Sequence, residues 1–326
     1  MMHPWWHAKN HYLINGYDIV DRNYSSFFYP PFINIALAFS FLFAHPGIAS
    51  VVTISFLYSL SVFAIFLLCK SFNFKDMPSL FSAMLVAVSS PLVASQNYGF
   101  WTFAIALNFI VLSYSLLRFR SRKLTWLSII FYFLALATHW AFFAAALLAG
   151  LVELAIGKNK EAKFYLLAVI IITLPFYLLI IYTANPLAYV PTHFNELALP
   201  NPLLILLAAS GLALAFRKHV EMAVFAILAL RLSFAYYILD IKFAFGDMVQ
   251  FAYPFLAAFY AGSLLQYSSK NVFKLVIIVV AAAIALEFVS VAGILGSAEA
   301  SISKNGFDGL LNIRKEISPD SKSIIA

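Results

Sequence analysis

Polar positions in this chain punctuate long apolar runs instead of alternating with apolar neighbours. From residue 49 onward, runs of roughly 15 to 23 residues succeed one another, close to the ~20 residues a helix needs to cross a ~30 Å hydrocarbon core. They predict helices near residues 49–69, 78–95, 100–118, 124–138, 140–157, 163–183, 202–216, 219–239, 247–267 and 273–295. The ten-residue alternation of a membrane β-barrel is absent. The expected fold is therefore all-α, a polytopic transmembrane bundle of about ten spanning helices.

The links between these runs differ in charge. Alternate links carry Lys70 and Lys75; Arg118, Arg120, Arg122 and Lys123; Lys158, Lys160 and Lys163; Arg217 and Lys218; and Lys270 and Lys274. The opposite links, at 95–99, at His139 and at 184–201, have no Lys or Arg, and 241–247 has only Lys242. The positive-inside rule makes the basic links cytoplasmic and leaves the N-terminal segment and the C-terminal tail external. That scheme requires residues 31–44, about 14 residues and short for a crossing, to form an interfacial or re-entrant helix on the outer face. An ordinary short span is the alternative. Residues 124–156 would reach about 50 Å as one helix, so they are read as two crossings joined by a recessed turn at Thr138-His139-Trp140.

Composition supports the same class. Of 326 residues, 63% are hydrophobic and 11% charged, so most of the chain's solvent is expected to be lipid. The net charge of +7 is spread over link ends, which membrane topology explains without a nucleic-acid partner. A single cysteine, Cys69, excludes an internal disulfide and a thiolate metal cage. The chain divides into an outer-face loop, 1–29, a helix bundle, 30–295, and the start of an outer soluble domain, 296–326. Both ends are expected to be truncated, with a helix missing ahead of residue 1 and a strand begun at 323–326 left without its partner.

Few polar groups are candidates for chemistry. His3, His7 and His11 recur at a spacing that shares one face of a helix, so His3 and His7 could hold a metal, or sit with Trp5 and Trp6 in an interfacial belt. Asp18 and Asp21 are the acids of the first outer segment. Either could act as general base toward a hydroxyl or as a hard-metal ligand; otherwise Asp18 caps a turn and Asp21 pairs with Arg22. Arg231 lies inside an apolar run, where a cation costs roughly 2.5 to 3.5 kcal/mol on insertion scales. An anionic phosphate would account for it, with Lys242 as a second cation; an ion pair with Glu287 is the alternative. His139 could donate to a phosphate or to an acceptor hydroxyl, or simply bond the backbone of its turn. Glu153, near a helix end, is expected to snorkel. No P-loop, GxGxxG, HExxH or GxSxG motif is present.

Several short motifs carry a resemblance. His3-Pro4-Trp5-Trp6-His7, Tyr12-Leu13-Ile14-Asn15-Gly16 and Tyr29-Pro30-Pro31-Phe32 resemble the first outer loop of the GT-C superfamily of membrane glycosyltransferases. Leu136-Ala137-Thr138-His139 is similar to a turn in many of its members, Tyr253-Pro254 to a late helix, and Asn312-Ile313-Arg314 with Ser318-Pro319-Asp320-Ser321 to the linker entering an outer domain. His3 stands where the family's leading acid would be, and its second acidic motif is absent near Asn97-Tyr98-Gly99. These departures fit the resemblance to membrane relatives labelled 6-pyruvoyl-tetrahydropterin-synthase-related at least as well as that to an oligosaccharyltransferase, a label that implies no pterin chemistry.

The resemblance implies a multi-pass cell-membrane enzyme of envelope glycosylation. It would take a sugar from a polyprenyl-phosphate-linked donor and pass it to an external glycan, lipid or protein acceptor. Asp18 or Asp21 would be the base, His139, Arg231, Lys242 and Tyr29 would bind substrate, and a divalent Mg or Mn ion could assist. A transporter or flippase for a lipid-linked or anionic substrate, and a non-catalytic GT-C-like scaffold subunit, are the rival readings.

Overall fold

The computed structural model describes residues 32–90, 92, 101–139, 142–183, 202–233 and 246–297. Within them every regular element is helical: α1 (Phe32–Ser40), α2 (Pro46–Ser71), α3 (Asp76–Ala87), α4 (Trp101–Arg118), α5 (Arg122–Thr138), α6 (Phe143–Ala155), α7 (Ala162–Thr183), α8 (Pro202–Ala215), α9 (Val220–Ser233), α10 (Gly246–Tyr267) and α11 (Lys270–Ser297). A helix stands in each apolar run that predicted one. Two stretches, Ile48–Ser71 and Lys270–Ala292, are long and apolar enough to cross a membrane. Several others are apolar but shorter, α3, α6 and α8 among them.

Within residues 31–44 the helix is short. α1 has 9 residues, about 13 Å, far short of a hydrocarbon core. It buries Ile33 and Leu37, sets Phe32 edge-on to Phe109 of α4, and leaves Phe39 exposed. α2 stops where Asn73 takes a left-handed conformation (φ 61°). The Asn73 and Phe74 N–H groups then reach back to the Lys70 and Cys69 carbonyls at 2.9 and 3.1 Å, satisfying groups that the helix end would orphan. Phe74, carried past the turn, is buried.

α4 is the axle of the bundle, with its residues buried almost all round between Thr102 and Leu117. Polar side chains bind it to its neighbours. Asn108 Nδ2 donates to the Leu57 carbonyl of α2 at 3.1 Å. Ser113 bonds Ser128 of α5 (3.1 Å) and Tyr165 of α7 (2.9 Å). On the other side, α10 packs against α8 and α3 through glycines. A Cβ on Gly211 would overlap the Tyr260 backbone, and one on Gly262 would strike Ser82. That Ser82 hydroxyl is shared between the Pro78 carbonyl of its own helix and the Ala258 carbonyl of α10, at 3.0 and 2.8 Å. Small residues that let backbones approach, with hydroxyls bonded across the gap, are how helices associate when apolar surface supplies little preference between partners.

Candidate functional site

The basic links gather at one end of the bundle, and specific contacts prove it. Arg118, the last residue of α4, pairs with Glu153 in the last turn of α6 and with Glu221 in the first turn of α9 at 3.1 Å. The first pairing requires α6 to run back toward the end from which α5 departs, so residues 122–155 form a hairpin with its turn at His139. Asn159, ahead of α7, donates to the Leu117 carbonyl at 2.5 Å, and the Lys75 N–H ahead of α3 donates to Gln266 near the end of α10 at 3.0 Å. His219, between α8 and α9, lies 2.8 Å from the Tyr267 hydroxyl.

At the centre of this end is a buried charged network. Glu153 is wholly buried and accepts from the Tyr114 hydroxyl at 3.3 Å as well as from Arg118. The expectation that it snorkels is therefore corrected: its carboxylate is paired inside the protein. A Cβ on Gly157 would collide with its Oε2, so the missing side chain of the turn makes room for the carboxylate. The Arg118 guanidinium lies 3.8 Å from the centre of the Phe72 ring, and Phe72 meets His219 edge-on at 5.1 Å. Burial among these rings pushes the His219 imidazole down to about 4, with Arg118 and Lys218 lowering it further and Glu221 opposing them. At such a value it is neutral at pH 7 and can exchange one hydrogen bond with Tyr267.

The opposite end is built differently. His139 follows α5 in an extended conformation, with its N–H on the Ala135 carbonyl at 2.8 Å, and is buried. Its ring faces that of Phe103 at 4.2 Å, and Phe142 closes on it edge-on at 6.0 Å. Thr138 is buried as well and bonds back to the Leu134 carbonyl at 2.7 Å. His139 is thus buried within the bundle, about 25 Å along α5 from the basic end. Beside it, Phe143, Leu147, Val169, Ile170, Thr173 and Leu174 line an apolar groove between α6 and α7.

Arg231 is exposed in the last turn of α9, a favourable place for a cation beside the negative end of a helix dipole. It does not meet Glu287. That carboxylate is buried in α11 and accepts the Ser90 N–H beyond α3 at 2.7 Å, so the suggested Arg231 to Glu287 pair is not formed. His3, His7, Asp18, Asp21, Tyr29 and Lys242 lie outside the described residues, as do Trp140, residues 1–29 and residues 298–326, while Gly296 and Ser297 of the expected outer domain are the end of α11. Of the predicted site residues, His139 and Arg231 are the two described.

What sequence reasoning passed over is the basic-end network. Arg118 was counted as a link charge, although an acid inside an apolar run, Glu153, pointed to a buried partner at the same end of a returning helix. Comparison of the chain with known protein families, curated proteins and solved structures finds no match.

Proposed function

We propose that the chain is a multi-pass membrane glycosyltransferase of GT-C type, moving a sugar from a polyprenyl-phosphate donor to an external acceptor. The observation that carries this reading is the buried His139 with an apolar groove beside it, at the end of the bundle away from the basic links. A lipid chain fits the groove's chemistry, and its phosphate would then lie toward the turn. The bundle's exterior supports a lipid setting. Phe43, Phe56, Ile278 and Val289 are each more than half exposed, at 75%, 63%, 65% and 67%, where a water-soluble fold would present charge. With the basic links cytoplasmic, the His139 end faces outward.

In the proposed reaction, Asp18 or Asp21 takes the proton of the acceptor hydroxyl as its oxygen attacks the sugar's anomeric carbon. The bond from that carbon to the donor phosphate breaks, and polyprenyl phosphate leaves with the electron pair. Arg231, Lys242 and His139 would stabilise the charge gathering on the phosphate, with Tyr29 at the entry to the bundle, a term that grows as water is excluded. Mg or Mn, if bound, would be held by groups such as His3, His7, Asp18 and Asp21. Among the described residues no three His, Cys, Asp or Glu side chains lie together, and no step above depends on a metal.

The test is transfer of labelled sugar from a panel of polyprenyl-phosphate donors by the purified protein. Transfer is expected, with at least a hundredfold loss in Asp18→Asn or Asp21→Asn, whichever is the base, as general-base removal typically costs about 10²–10⁴. Full activity in both variants would remove the proposed base. Flux of donor across proteoliposomes without turnover would support the transporter reading instead.

A further inference from the structure

We propose that the starting turns of α5 and α7 form a docking face for the head groups of anionic phospholipid. This rests on the membrane reading above and goes beyond it by assigning a lipid class to a place.

Trp126 of α5 and Phe164 of α7 meet edge to face with ring centres 5.0 Å apart and remain exposed, at 50% and 37%. The contact clamps two helix starts side by side. Around it Arg122, Lys123, Lys158, Lys160 and Lys163 are all exposed. Among the described residues none of these five forms an ion pair, whereas Lys70 at the same end holds Asp76 and Arg118 holds two glutamates. The acid nearest in sequence is Glu161.

Neither α5 nor α7 has an acidic residue in its first turn. The exposed N–H groups of a helix start carry partial positive charge, so cations there add to a field of the same sign, opposed at α7 by the one acid Glu161 just ahead of it and at α5 by none in its first turn. Further along the same helices the exposed residues become aliphatic and aromatic: Ile130 and Phe133 on α5, Leu167 and Ile171 on α7. The sequence of cation, aromatic rim and apolar wall matches phosphate, interface and acyl chain in a phospholipid leaflet. An anionic lipid satisfies all three layers at once. Inorganic phosphate would satisfy the first alone.

The experiment uses the full chain in detergent, titrated with phosphatidylglycerol or phosphatidylcholine, with retained lipid counted by native mass spectrometry. Phosphatidylglycerol is expected to bind at least tenfold tighter, since each cation near an anionic surface contributes about fivefold. The preference should fall to near parity in a combined Arg122→Gln, Lys123→Gln, Lys163→Gln variant that melts at the parent's temperature. Trp126→Ala should weaken retention of both lipids. An undiminished preference in the triple variant overturns the proposal, as does competition by millimolar inorganic phosphate, which would mark a site for a free anion. Failure of the parent to insert into vesicles of either lipid would refute the membrane reading itself, a separate outcome from insertion without headgroup preference.

Discussion

At the basic end, a guanidinium, two carboxylates and a phenol from α4, α6 and α9 share one buried network, with the His219 imidazole packed on it through Phe72. At the other end, Glu287 accepts a single backbone N–H from Ser90 and His139 lies against a phenyl ring. The first arrangement locks helix ends together, because each charge taken from water is compensated only while its partners stay in place. At the second, Glu287 ties α11 to the segment after α3 through a backbone N–H, with no ion pair to it among the described residues.

The largest expected effect comes from breaking the network. Arg118→Met leaves Glu153 buried beside Glu221 with no cation, and removal of one partner from a buried pair costs about 3–5 kcal/mol. Thermal unfolding in detergent should register it as a large fall in Tm. The matched change at the far end, Glu287→Gln, should cost about 1 kcal/mol, since an amide oxygen can still accept from Ser90. Equal losses in the two variants would dissolve the contrast between the ends.

Helix positions were legible because a ~20-residue apolar run has few alternatives, and the return at His139 followed from a run too long for one crossing. Which face of each helix is buried was not legible. α4 is buried nearly all round and α11 leaves Ile278, Phe288 and Val289 exposed, yet both are predominantly apolar, because a lipid neighbour and a protein neighbour ask for the same side chains. The distinguishing marks are the buried polar residues of α4, Asn108, Ser113 and Ser115. The partnership of Arg118 and Glu153 spans 35 positions and exists only once α6 turns back. Asp18 and Asp21 are carried by motif resemblance, which says nothing about what they face in the fold.

A middle-sized effect should appear on acidification. His219 sits at about 4 in the folded chain against 6.5 for the free group, so between those values the unfolded state binds more protons. Its contribution to stability is complete above pH 6.5, declines as pH falls, and levels off below about 4. A loss on the order of 2 kcal/mol by pH 4.5 is expected, with discount for the part of the ring's surroundings that solvent reaches. His219→Gln should be less stable than the parent at pH 7 and should show a flatter profile between pH 6.5 and 4.5. Parallel profiles for parent and variant would assign the acid sensitivity to other groups.

The smallest effect tests whether burial, and not pairing as such, separates the network from the rest of its own end. Lys70 and Asp76 are paired at 2.8 Å, as close as any good ion pair, but the side chains are 33% and 82% exposed. Water already solvates both charges, so their attraction is screened and each loses rotamer freedom to hold the contact. Asp76 also opens α3, where a negative charge is favoured by the helix dipole, and Lys70 keeps a second acceptor in the Phe74 carbonyl at 3.0 Å. Asp76→Asn should therefore cost less than about 1 kcal/mol, and that loss should shrink in 1 M salt, where the Arg118→Met penalty should hardly change. A salt-insensitive loss as large as that of Arg118→Met would mean that the exposed link, and not the buried carboxylate, holds these helix ends together.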